Sequence, residues 1–423
     1  MIGEIITIGD ELLIGQVVNT NQAFIAEKLN GVGIYVEHMT TVGDNLSQIL
    51  GAFATAMKRA NVVCVTGGLG PTHDDITKQA LCKFFDTGLV VHQQTLEKIK
   101  ALFERRNLRL TQASMDQALV PRGCTVVENS IGSAPGMLFE NYSTQEEKYL
   151  IAMPGVPFEM ERIVVEHVVP FFQKKNFSSV VRHRTLKTTG ISESLLSKKL
   201  GSIEEIIGSD GSTTLAFLPN PFGTKLRVTV RERSIEAAEQ KLSHADAAIR
   251  SKAEKYIYSS SELEMEDVVG RLLRERKLSL ATAESCTGGM IANRITNVSG
   301  SSEYFLRGYV AYSNASKVEL LSVDKHLISQ HGAVSREVAE AMAAGVRANA
   351  KSDLAISTTG IAGPTGGTPE KPVGLVWIGY SDHETTFAMK FNFEDNRLRF
   401  KERASQAALE LLRRKLLGIT IEK

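Results

Sequence analysis

Polar and apolar positions along this chain switch between two periods. Short stretches at 4–8, 278–283 and 354–359 read as strands, and 62–65 is continuous and apolar, as a parallel sheet covered by helices on either side requires. Between 4–8 and 62–65 the apolar residues fall at helical spacing. Residues 21–29 form a short amphipathic helix stopped by Asn30-Gly31, and 35–42 a second strand. Residues 45–60 form a helix with Ile49, Leu50, Phe53 and Met57 at helical spacing. With 62–65 as the third strand the order is βαβαβ. That order predicts a three-layer α/β domain whose ligand lies at the carboxyl ends of the strands.

After Pro154-Gly155-Val156-Pro157 a helix carries the chain to Pro170-Phe171-Phe172. Residues 174–258 then read as a small α+β module, with strands at 184–189 and 226–230 and helices at 193–200 and 235–255. No constellation in it looks catalytic, so it reads as a linker or interface domain. Ser259-Ser260-Ser261-Glu262 marks the next boundary, with serine capping a helix at 265–276. Strands follow at 278–283, 305–312, 354–359, 374–380 and 385–393, and an amphipathic helix at 396–416 closes the chain. The expected architecture is α/β: two three-layer α/β/α domains, 1–173 and 259–423, joined by a small α+β domain, 174–258.

A length of 423 residues exceeds one ordinary core and agrees with that division. With 43% hydrophobic residues, 23% charged and a formal net charge of +1, nothing favours nucleic acid or a membrane as the main partner. Arg413-Arg414-Lys415 reads as the solvated end of the last helix, where cations suit the dipole. No apolar run reaches membrane-spanning length, and the opening Met1-Ile2-Gly3-Glu4 has no signal-peptide layout. Cys64, Cys82, Cys124 and Cys286 lack paired spacing. A reduced, cytoplasmic protein is expected.

The residues that break the pattern sit where strands end. Gly9-Asp10-Glu11 and Asn19-Thr20-Asn21 follow the first strand, and Gly43-Asp44 the second. The third runs into Thr66-Gly67-Gly68-Leu69-Gly70-Pro71-Thr72-His73-Asp74-Asp75. Glycines let backbone amides approach a phosphate, and carboxylates beside them can hold a divalent cation between phosphate oxygens. Each carboxylate taken singly reads more readily as a helix cap; three sets at one sheet edge favour the functional reading. The loop is not of the Gly-Lys phosphate-binding type, since the chain holds no Gly-Lys pair.

In the C-terminal half, Ala283-Glu284-Ser285-Cys286-Thr287-Gly288-Gly289 joins a strand to a helix. That geometry sets a nucleophile at a helix N-terminus, where amides and dipole favour developing negative charge. An ordinary capped turn reads the same way, so the base decides. His326 and His331 lie in a stretch with no partner pattern. Lys317 follows a strand end bearing Tyr309 and Tyr312, and a lysine desolvated there can lose its proton and activate a hydroxyl. Cys286 is a rival nucleophile, though a free cysteine behind a strand is usually a small core residue.

Thr66-Gly67-Gly68-x-Gly70 with Asp75-Ile76-Thr77, Asp44 and Pro154-Gly155-Val156-Pro157 resembles the molybdopterin-binding domain of the MoaB/MogA type. The fuller wording, Gly9-Asp10-Glu11-Leu12-Leu13 and Gly67 through Asp75, looks like the CinA family (competence/damage-inducible protein A). In that family the domain is associated with metal-dependent cleavage of ADP-ribose to AMP and ribose 5-phosphate. The resemblance implies Asp44 and Asp75, with Asp10 or Asp74 in support, as ligands of a magnesium-, cobalt- or manganese-type cation. It places Gly67, Gly68 and Gly70, and Ser133 of the loop 130–136, at the phosphate pocket.

The stretch 283–289, Tyr312-Ser313-Asn314-x-x-Lys317, His331-Gly332-Ala333-Val334-Ser335 and Gly360-Ile361-Ala362-Gly363-Pro364 closely resemble PncC, the nicotinamide mononucleotide (NMN) deamidase domain that forms the C-terminal part of CinA. What this implies is hydrolysis of the nicotinamide carboxamide to the acid with release of ammonia, with no cofactor. Ser285 would be the nucleophile, Lys317 its base and Tyr312 the residue that orients them, with the amides of Thr287, Gly288 and Gly289 as oxyanion hole. The loop bearing Thr359, Gly360, Gly363, Gly366 and Gly367 would hold the ribose phosphate, with Arg397 as a clamp. Where the family often has Gly-Asp-Arg, this chain has Asp395-Asn396-Arg397. The expectation is a bifunctional enzyme of pyridine-nucleotide salvage acting on NMN and ADP-ribose, a homodimer by family habit. Two other readings stand beside it: an N-terminal domain that binds a pterin or nucleotide without turnover, and a competence factor working through protein contacts.

Overall fold

In the computed structural model, which describes residues 1–70, 75–105, 107, 109–140, 147–175 and 180–421, the stretch at 4–8 becomes the middle of a sheet. β1 (Ile2–Ile8) pairs in parallel with β2 (Tyr35–Val42) on one side and β3 (Val62–Thr66) on the other. A separate antiparallel ribbon joins β4 (Leu89–Val91) to β5 (Leu119–Pro121). β6 (Thr125–Val127), β7 (Gly136–Glu140) and β8 (Tyr149–Met153) extend the main sheet to the order β2-β1-β3-β8-β7-β6. β8 is parallel to β3, while β7 and β6 run antiparallel.

Adjacent strand residues face opposite layers. Ile5, Cys64 and Ile151 pack with Ile25, Leu29, Met160 and Phe172, from the helices Thr20–Gly31, Pro157–Ile163 and Val169–Lys174. Ile6, Val63, Val65 and Leu150 pack with Ile49, Phe53 and Leu81, from Leu46–Arg59 and Thr77–Phe84. Two cores on one sheet are why Val62-Val63-Cys64-Val65 of β3 is apolar throughout.

β9 (Val180–Thr188), β10 (Thr213–Asn220), β11 (Gly223–Glu232) and β12 (Ile257–Ser259) form a second sheet in the order β10-β11-β9-β12. The third comprises β13 (Leu280–Glu284), β14 (Phe305–Val310), β15 (Leu354–Gly360), β16 (Leu375–Ser381) and β17 (Thr386–Asn392), ordered β14-β13-β15-β16-β17. β14, β13 and β15 are parallel; β16 and β17 are antiparallel additions. Leu280, Ile356, Val376 and Ile378 face Leu273, Phe400, Leu409 and Leu412, from the helices Met265–Arg276 and Arg397–Leu417. Ala281, Ala283 and Ala355 face Val338, Met342 and Val346 of the helix Arg336–Ala350. That helix lies so close that a Cβ on Gly379 would come within 2.3 Å of the Ala339 carbonyl oxygen.

The fold is thus α/β, with a three-layer domain at each end of the chain. By packing, the chain divides into two units, Met1–Arg182 with Thr229–Leu242, and His183–Val228 with Ser243–Lys423. Within the second unit, Arg413 of the last helix donates to the backbone carbonyls of Lys255 and Ile257 in the middle segment. Arg413 and Arg414, 2% and 8% exposed, are not the solvated helix end their charge suggests. Glu410 accepts from Arg413 Nε at 2.7 Å and from Arg414 Nε at 2.6 Å, and Arg413 also donates to the Lys255 carbonyl at 2.7 Å. Lys187 meets Glu264 at 2.8 Å in the same unit. Both buried guanidinium groups thus share the one carboxylate of Glu410. Among the described residues no helix is long and apolar enough to cross a membrane, and all four cysteines are free.

Candidate functional site

Because β14, β13 and β15 are parallel neighbours, their carboxyl ends open on one edge of the sheet. Ser285 follows β13, and its amide donates to the Thr358 carbonyl at 2.9 Å. The Gly288 amide closes a turn onto the Ser285 carbonyl at 3.1 Å. Gly288 (φ 60°) and Gly289 (φ 90°) then take the left-handed conformation that turns the chain into the helix Met290–Thr296. Buried Glu284 accepts from the Ile291 and Ala292 amides at 3.1 and 2.8 Å and so occupies the helix start.

Lys317 comes from the end of β14, on the helix Asn314–Leu321 capped by Ser313. Its Nζ lies 3.1 Å from Ser285 Oγ, 3.0 Å from the Ala311 carbonyl and 3.5 Å from that of Tyr312. Ser285 is 9% exposed and Lys317 only 2%. No carboxylate faces the ammonium in these contacts, and burial pulls the Lys317 pKa below its ordinary value, slightly opposed by the neighbouring Cys286 thiol. Cys286 packs into the apolar core with Ile291 and Ile295, and burial pushes its thiol up to about 12. Of the two side chains, the serine hydroxyl faces the lysine amine and the cysteine belongs to the core.

The structure redistributes two expected roles. The Tyr312 side chain is 57% exposed, and its hydroxyl accepts from Arg397 Nη2 at 2.6 Å. Only the Tyr312 carbonyl reaches Lys317, so the phenol does not orient the pair. Nor are all three glycine-turn amides available: that of Gly288 is consumed by its turn, while those of Thr287 and Gly289 have no protein acceptor among the described residues. The Thr287 hydroxyl is a buried strut, 2.7 Å from the Thr358 hydroxyl.

The loop after β15 borders the same edge. Thr359 donates to the Ala333 carbonyl at 2.7 Å, which commits its hydroxyl to the fold. A Cβ on Gly360 would meet the Leu375 carbonyl oxygen at 2.6 Å, and one on Gly367 the Val373 nitrogen at 2.8 Å. Gly363 (φ 72°) and Gly366 (φ 91°) shape the turn between them. Arg397 Nη1 donates to the Gly363 carbonyl at 2.9 Å, so this arginine joins the loop to Tyr312. Sequence reading missed Lys401, whose Nζ would lie 3.3 Å from a Cβ on Gly288. The signal was there: Lys401 stands one helical turn beyond Arg397.

At the N-terminal sheet edge, Asp10 and Asp44 cap each other. The Asp10 amide donates to Asp44 Oδ2 at 3.0 Å and the Asp44 amide to Asp10 Oδ1 at 3.2 Å. Gly67 (φ 112°) and Gly68 (φ 63°) follow β3, where a Cβ on Gly67 would sit 2.1 Å from the Ile8 carbonyl oxygen. Asp75 lies against Gly70, 2.6 Å from where its Cβ would be. Asp74 lies outside the described residues. Asn21 donates to Thr66 Oγ1 at 3.2 Å and the Gly155 carbonyl at 2.9 Å, joining three strand ends. Ser133 instead lines two adjoining hollows, one with His92, Lys98 and Glu128, the other with Phe103, Phe158 and Glu159. Neither is lined by Asp44 or Gly67, so Ser133 is not drawn into that edge. Among the described residues no group of three or more His, Cys, Asp or Glu side chains converges.

These features define a class: a layered α/β domain with a glycine-rich strand end, followed by a layered α/β domain carrying a buried serine–lysine pair. Three family models match in chain order. They are described as "Probable molybdopterin binding domain" (residues 4–174), "Damage-inducible protein CinA KH domain" (183–259) and "CinA C-terminal domain" (262–416). The chain belongs to the CinA family. A CinA-like protein of Chloroherpeton thalassium is 45% identical over 98% of this chain and 99% of its own length. One of Kosmotoga olearia is 43% identical over 99% of this chain and 100% of its own. A solved structure of a CinA superfamily protein from Klebsiella pneumoniae, 29% identical, covers 37% of this chain and 99% of its own at a TM-score of 0.36.

Proposed function

We propose that the C-terminal site is a serine–lysine amidohydrolase that converts NMN to nicotinate mononucleotide and ammonia. The observation that carries this reading is the 3.1 Å contact between a buried lysine and the serine of a strand–turn–helix junction. A neutral amine has two hydrogens and one lone pair. Its two N–H bonds go to the Ala311 and Tyr312 carbonyls, and the lone pair takes the Ser285 proton. Ser285 Oγ attacks the carboxamide carbon, and the resulting oxyanion faces the Gly289 amide, the unspent turn amide that is not fully buried. Lys317 returns the proton to the leaving nitrogen, ammonia departs, and an acyl-enzyme remains. Water, deprotonated by the same amine, attacks that ester; the proton returns to Ser285 Oγ and the acid leaves. Ammonia release from NMN by wild type, absent in Ser285→Ala, is the test. Activity retained in Ser285→Ala refutes the nucleophile.

For the N-terminal unit we propose binding of a nucleotide diphosphate, with ADP-ribose as the ligand the family resemblance implies. What supports it is the Gly67–Gly68 turn, two left-handed glycines at a strand end with no room for a Cβ on either. Release of AMP from ADP-ribose, assayed with magnesium, manganese or cobalt and lost in Asp75→Ala, would support turnover. Binding without AMP release would leave a capture module.

A further inference from the structure

The first turns of the helix Arg397–Leu417 carry Arg397, Arg399, Lys401 and Arg403, and its first turn holds no acidic residue. Cations at the positive end of a helix are unfavourable by themselves and are relieved by an anion. Two of these groups have protein partners. Arg397 spends both terminal nitrogens on the Tyr312 hydroxyl and the Gly363 carbonyl, and Arg403 lies 3.9 Å from Asp395. Arg399 is exposed. Lys401 is partly buried, has no acceptor among the described residues, and holds its ammonium beside Gly288, three residues from the nucleophile.

We infer that Lys401 is the ligand-facing cation of the C-terminal site and binds the phosphate monoester of the nucleotide, while Arg397 is a positioning residue that holds the Gly363 loop against Tyr312. This rests on the amidohydrolase reading for the substrate class. Glycine at 288 then serves two ends. It permits the left-handed turn, and it leaves the space a side chain would take from the Lys401 ammonium.

Binding separates this inference from the reading it rests on. In a Ser285→Ala background, which cannot turn over, calorimetry compares NMN with nicotinamide riboside, which lacks only the phosphate. Adding Lys401→Met weakens NMN binding by about ten- to hundredfold, the loss of one charge-assisted contact, and leaves the riboside unchanged. Lys401→Arg keeps most of the affinity. Equal weakening of both ligands, no weakening of either, or no measurable NMN binding in the Ser285→Ala background overturns the inference. A protein that binds NMN through Lys401 while wild type releases no ammonia keeps the phosphate site and rejects the deamidation.

Discussion

Lys317→Met is the most informative single perturbation. Methionine has nearly the length of lysine but neither proton nor lone pair, so it removes the base while filling the space. In the wild type Nζ has three neighbours, Ser285 Oγ at 3.1 Å and the Ala311 and Tyr312 carbonyls at 3.0 and 3.5 Å. A general base so placed contributes about 10²–10⁴ in rate, or roughly 3–5 kcal/mol of barrier. kcat/KM for ammonia release should therefore fall by at least about 10², with the larger part in kcat. The pH profile supplies the second readout. Burial lowers the Lys317 pKa, so wild-type kcat/KM should rise with pH as one proton is lost, with its midpoint below the ordinary lysine value of 10.5. Residual activity of Lys317→Met should be flat over the same range. A coupled ammonia assay from about pH 6 to about pH 10 records both. A variant within about threefold of wild type, or one that keeps the rising limb, refutes Lys317 as the base.

Three further outcomes follow from the same geometry. Cys286→Ala should keep ammonia release within a few fold while Ser285→Ala loses it, because the thiol is a core group held up near 12 and the hydroxyl faces the amine; the reverse pattern would make the cysteine the nucleophile. Lys317 also links stability to pH. Its folded pKa is depressed, so between that value and 10.5 the unfolded chain holds the extra proton, and wild-type stability relative to Lys317→Met should increase with rising pH; urea midpoints that converge in the opposite direction contradict it. Glu410→Gln should cost about 3–5 kcal/mol in urea unfolding, since it leaves buried Arg413 and Arg414 without their shared carboxylate; a loss below about 1 kcal/mol would mean that the backbone contacts of Arg413 and the Tyr256 ring beside Arg414 carry the charge.

What could be read in advance was whatever a short stretch decides by itself. β3 announces itself because residues buried on both faces must be apolar on both. The turn at Ser285 does so because glycine pairs mark left-handed backbone. β6, β7 and β8 escaped, and the antiparallel β7 lies next to β8 only through pairing. The misreadings share one cause. Arg413 and Arg414 look solvated because the carbonyl that accepts from Arg413 belongs to Lys255, 158 residues away. Tyr312 looks like an orienting residue because it stands five positions from Lys317, yet its hydroxyl reaches Arg397, 85 positions away, and only its carbonyl faces the amine. A side chain's neighbours in sequence constrain where its backbone goes; its charge or hydroxyl answers to whichever strand end the fold brings alongside. That is why the pair at 285 and 317 was legible as chemistry, while Lys401, on a helix brought beside Gly288 only by packing, was not.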